Sequence, residues 1–179
     1  MPAIVDYDSV KQVMAERGYV SLYHNSGAFG FSPEAKAQTV GWIEADDPTI
    51  RDAARELTRP VPSIVDLLPR VLDRLNSDIW LMPKSHWHYE LHFGNCDLLE
   101  EILPVDAKLL RDRNDGSAVV FTQLEQSTLI DIVGRLLNGL RGSDFLLAFP
   151  DASTLCTIHH HKQLWWQTTD VSIHPILVD

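Results

Sequence analysis

The chain has 179 residues, 45% of them hydrophobic, and sets 15 lysines and arginines against 25 aspartates and glutamates for a formal net charge of -10. That much apolar content over that length fills a packed core, which excludes disorder and points to a single domain over 1–179, at most with a subdomain. The acidic balance, with no lysine–arginine run, excludes a surface that tracks nucleic-acid phosphates, and no apolar stretch approaches the length that crosses a membrane.

Met1 to Asp8 show neither the basic start nor the apolar centre of a signal peptide. The two cysteines, Cys96 and Cys156, fit a reducing compartment, so a cytoplasmic location is expected. The spacing of Val10, Val13 and Met14 predicts a helix from Ser9 to Arg17, opened by a Ser9–Gln12 capping box and closed by Gly18. A short strand is expected from Tyr19 to Tyr23. The glycine-bearing loop His24 to Phe31 lacks both the Walker lysine and the full dinucleotide spacing, so its glycines read as turn residues. Ser32-Pro33 marks a helix start, and Thr39 to Ile43 suits helix or strand equally. Asp47-Pro48 opens a helix that Ile50, Ala53, Ala54 and Leu57 carry to Thr58.

Arg59-Pro60-Val61-Pro62 reads as a rigid connector and internal boundary between a helix-rich part, 1–76, and a sheet-rich part, 77–179. From Ser63 the apolar positions Ile64, Leu67, Leu68, Val71, Leu72 and Leu75 keep helical spacing, with Pro69 expected to kink or split the helix. Ile79 to Met82 is a strand candidate. The stretch His86-Trp87-His88-Tyr89-Glu90-Leu91-His92-Phe93 then alternates polar and apolar residues at period two, which predicts a strand hairpinned to it. In that conformation Trp87, Tyr89, Leu91 and Phe93 form a dry row, while His86, His88, Glu90 and His92 form a row of candidate ligands, acids and bases.

Asp97 and Glu100 cap a short helix that Pro104 stops. Ala118 to Phe121 reads as a strand buried on both faces. Thr122 and Glu125 form a capping box for a helix along Leu129, Val133, Leu136, Leu137 and Leu140. Three strands follow, Phe145 to Phe149, Thr154 to His160 and Leu164 to Thr169, with connections short enough for an antiparallel meander. The fold class is therefore α+β: a mixed, mainly antiparallel sheet packed by helices.

Function is less legible, because no catalytic or metal signature appears. A divalent metal is the candidate cofactor. At about 3.3 Å per residue only neighbours two apart can share an ion, so His86 with His88, or His88 with Glu90, and His159 with His161 are the candidate ligands, and Glu90 the candidate general base or third ligand. Cys156 with His159 offers a weaker thiol–imidazole pairing. Adjacent strand residues point to opposite faces, so one indole of Trp165-Trp166 must leave the main core, to pack under a helix or, with His88, to meet a ligand or partner. Two functions compete, ahead of a third, metal-free acid–base chemistry by Glu90 and His88 in a cleft. One is a non-enzymatic binding or accessory module whose acidic surface contacts a protein or small ligand; the other is a small metal-assisted hydrolase or oxygenase.

Overall fold

The short strand β1 (Ala3–Val5) leads into helix α1 (Tyr7–Glu16) in a computed structural model that describes residues 1–44, 54–94 and 96–179. Asp6, not Ser9, caps α1: its carboxylate accepts the Ser9 backbone N–H at 3.0 Å, satisfying a donor that the first turn leaves orphaned. The helix thus begins two residues before the predicted start. Gly18, at φ +82°, takes the left-handed conformation just past its end.

Strands β2 (Tyr19–Ser21) and β3 (Phe29–Phe31) form a separate two-stranded antiparallel sheet. The glycine loop between them is a packed crossing. A Cβ on Gly27 would lie 2.4 Å from the Pro83 carbonyl oxygen, so only glycine lets the two backbones approach. The ambiguous stretch resolves as strand β4 (Gln38–Ile43), and β5 (Ala54–Thr58) pairs with it in parallel. The predicted helix from Asp47 is therefore corrected from Ala54 onward, while residues 47–53 lie outside the described residues. Arg55 and Glu56 are exposed on a ladder whose partner strand, not local spacing, supplies the hydrogen bonds.

Helix α2 (Val61–Leu75) starts inside the supposed connector, with Pro60 as its cap and Pro62 in the first turn, where a missing N–H does no harm. It runs past Pro69 without a break, burying Ile64, Leu68, Val71, Leu72 and Leu75 on one side. Strand β6 (Ile79–Pro83) follows. The next element overturns the strand reading of His86 to Phe93: Trp87–His92 is a helix, α3, with His86 as its cap residue. Trp87, Glu90 and Leu91 are buried, at helical spacing, whereas Tyr89 and Phe93 are exposed. No hairpin forms here, because β6 pairs with other strands.

Two short helices, α4 (Cys96–Ile102) and α5 (Lys108–Arg111), lead to strand β7 (Ala118–Phe121). Helix α6 (Gln126–Gly139) is preceded by the Thr122–Glu125 capping box, in which the Glu125 carboxylate accepts the Thr122 backbone N–H at 2.9 Å. Strands β8 (Phe145–Phe149), β9 (Thr154–His159) and β10 (Gln163–Thr168) form the expected meander, and α7 (His174–Val178) closes the chain.

The eight-stranded sheet runs β1-β7-β6-β8-β9-β10-β4-β5, antiparallel everywhere except β4–β5. This is the mixed, mainly antiparallel α+β architecture that the sequence predicts. The segment before Asn76 holds α1 and α2 together with strands β1 to β5. Alternation along β8 explains its wholly apolar sequence. Phe145, Leu147 and Phe149 point into a large core built with α2, α3, α6 and α7, while Leu146 and Ala148 point into a smaller one with Tyr7, Val10 and Met14 of α1 and Phe29 of β3. Among the described residues, no helix is long and apolar enough to cross a membrane.

Candidate functional site

Register fixes where polar groups gather. Pro83, the last residue of β6, faces Phe145, the first of β8, and Phe145 in turn faces Ile158 near the end of β9. Lys84-Ser85, Gly142-Ser143-Asp144 and His159-His160-His161 therefore meet at one end of the sheet, where the strands stop. The Lys84 backbone N–H donates to the Asp144 carbonyl at 3.0 Å, extending the β6–β8 pairing by one bond.

Helix α3 caps this end and turns Glu90 inward. Glu90 is 1% exposed, and its carboxylate accepts the Ser85 hydroxyl at 2.5 Å. Gly94 closes over it: a Cβ there would lie 2.6 Å from Glu90 Oε2 and 3.2 Å from Ser143 Oγ. Above lies an open cleft of about 330 Å³, floored by Ser85, Glu90, Ser143 and Asp144 and reached by Lys84. Tyr23 and Tyr89, 68% and 51% exposed, form its aromatic rim.

The helical geometry of α3 disperses the predicted polar row. His86 donates from Nδ1 to the Asn25 carbonyl at 2.9 Å. His88 packs against His92, one turn along, with tilted rings whose centroids are 4.4 Å apart. Glu90 faces inward, away from both environments. Among the described residues, the His, Cys, Asp and Glu side chains whose ligand atoms gather in a group of three or more are His159, His160 and His161, all within 4.8 Å of one another. The structure does not bring His86 or His88 into that group. Asp144 organises it instead: one carboxylate oxygen accepts both the His160 backbone N–H, at 3.2 Å, and His160 Nδ1–H, at 2.9 Å. His159 Nε2 lies 3.9 Å from the other oxygen, and His159 Nδ1 accepts the His161 backbone N–H at 3.2 Å.

Trp165 and Trp166 are 3% and 0% exposed, so neither offers a ring to a partner. Trp166 sits in the large core against Trp42 and Phe149; Trp165, on the other face, donates its indole N–H to Gln163 Oε1 at 2.7 Å. Cys156 is fully buried, and burial pushes its thiol well above the usual range, which removes it as a nucleophile. Sequence reasoning missed Asp144, Ser85, Ser143 and the two tyrosines as a group. The one legible signal was Gly142-Ser143-Asp144, a polar triplet directly before a wholly apolar strand, which topology places at a sheet end. Comparison with known protein families, curated proteins and solved structures finds none that matches this chain.

Proposed function

We propose that the protein is a cytoplasmic, non-enzymatic binding module that takes a basic side chain of a partner protein into the cleft between Tyr23 and Tyr89. The observation that carries this reading is the lining of the cleft: two carboxylates against one ammonium, under two solvent-facing phenol rings. A lysine or arginine entering there meets the Glu90 and Asp144 side with its charge and the tyrosine faces with its stem. A cation over an exposed aromatic ring gains about 0.5–1 kcal/mol. The net charge of -10 adds long-range attraction for a basic partner and speeds encounter.

The test is an amide-resolved NMR titration of the full chain with a short neutral peptide carrying one arginine, and with the same peptide carrying glutamate instead. Shifts confined to Tyr23, Ser85, Tyr89 and Ser143, weakening with salt and with affinity reduced about two- to fivefold in Tyr89→Ala, are expected. Shifts scattered over the acidic surface, or equal binding of the glutamate peptide, would overturn the reading.

A further inference from the structure

We infer that the β9–β10 turn is a binding site for one divalent transition-metal ion, with His159, His160 and His161 as ligands and Asp144 as the carboxylate that orients His160.

Three features support this assignment, and they share one residue, Asp144, with the cleft. The first is proximity. Ligand atoms of the three imidazoles already lie within 4.8 Å of one another. Two nitrogens bound to one zinc at about 2.0–2.1 Å are separated by roughly 3.4 Å in a tetrahedral site, so small side-chain rotations close the set.

The second is the outer shell. An ionised carboxylate only accepts hydrogen bonds, so the 2.9 Å contact makes His160 Nδ1 the protonated nitrogen and Nε2 the one with the lone pair. A histidine that donates its other ring N–H to a carboxylate is the usual arrangement behind a metal ligand, because that bond fixes the tautomer and raises the basicity of the coordinating nitrogen. The same Asp144 oxygen also takes the His160 backbone N–H, which pins the main chain along with the ring.

The third feature is rigidity. His159 is the last paired residue of β9, opposite Gln163, and Asp144 immediately precedes β8, so one ligand and the outer shell are held by neighbouring strands, while His160 and His161 lie in the tight turn that follows. Metal binding through His159 Nδ1 would exchange its bond from the His161 N–H for coordination.

Donor chemistry sets the metal class. Imidazoles without thiolate or a ring of oxygens select zinc, copper(II), nickel or cobalt, and disfavour magnesium and calcium.

The experiment uses the full chain without an affinity tag, stripped of metal, titrated calorimetrically with zinc and followed by visible absorption with cobalt. One ion per chain is expected, with no heat from magnesium or calcium and loss of binding in His160→Ala. Asp144→Asn, which keeps every coordinating imidazole, should weaken zinc about 10- to 100-fold. Circular dichroism of the metal-free variants establishes that they are folded. Zinc binding unchanged by Asp144→Asn, or uptake of several ions with equal weak affinity, would show an adventitious cluster of surface histidines and overturn the assignment. Tyr89→Ala should leave the titration unaltered, so failure here and failure of the cleft are separate results.

Discussion

The indole of Trp165 lies against Gly41, the residue that faces it across the β10–β4 pair, and a Cβ on Gly41 would come within 2.7 Å of ring atom Cζ3. The bulk of one residue is thus accommodated by the absence of a side chain on the other. Gly41→Ala must push a buried ring from its place, and overpacking of this kind costs about 1–3 kcal/mol. Urea unfolding should show the loss as a lowered midpoint with an unchanged slope; an unchanged midpoint would mean that the ring has room to shift.

Glu90 is a buried carboxyl whose hydrogen bond from Ser85 replaces part of the solvation it has given up. Removing that donor with Ser85→Ala should lower stability by about 1–3 kcal/mol. Glu90→Gln keeps an acceptor for Ser85 and should lose less than Glu90→Ala, which also opens a cavity. Equal losses in the two Glu90 variants would show that packing, not the hydrogen bond, sets the requirement at this position.

The Tyr19 hydroxyl sits 2.9 Å from the Phe149 carbonyl oxygen and 3.3 Å from that of Thr154, tying β2 to the turn between β8 and β9. Burial pushes its phenol pKa above the usual value, outweighing the opposing hydrogen bond. A raised folded-state pKa means that the unfolded chain ionises first. The stabilisation is therefore whole below about pH 10 and drains away as pH rises from there toward the folded-state value. Tyr19→Phe should lose about 1 kcal/mol near neutrality and show a shallower alkaline decline than the parent. Denaturant midpoints measured from pH 7 to 11 for both chains check the sign.

Pro69 lies on the exposed side of α2, inside the helix. Proline in a helix interior is about 3 kcal/mol less favourable than alanine, while its stiffening of the unfolded chain returns about 1 kcal/mol or less. The helical term wins. Pro69→Ala should raise the melting temperature through a net gain of about 2 kcal/mol, and a lowered melting temperature would show that α2 relies on a bend at that residue.

The contrast between β8 and α3 shows which parts of the fold the residues disclose. Phe145 to Phe149 is apolar at every position, and a strand between two cores is the structure that uses all five. In α3, Trp87 and Leu91 are four apart, which satisfies period two and the helical period alike. The deciding residue is Glu90, which a polar–apolar pattern scores as outward-facing and which the fold buries. Moreover, the first turn of α3 is tied down from afar, with the Trp87 and His88 N–H groups donating to the Asp115 and Arg113 carbonyls, a partnership no local spacing encodes. The same holds for β5, whose hydrogen bonds come from β4. In the candidate site, His159 and His161 stood out by composition. Asp144 was invisible until the β6, β8 and β9 strand ends came together.

The outermost strands of the large sheet are β1, three residues long, and β5, whose Arg55 and Glu56 stand in solvent. An unpaired row of amides invites another polypeptide to dock and extend the ladder, the first step toward fibrous assembly. One border offers too little length for such templating, and the other presents both signs of charge, which an identical strand stacked in register would set like against like. Concentrated solutions of this protein should therefore resist thread-like growth, and neutralising that charged border would be the change that invites it.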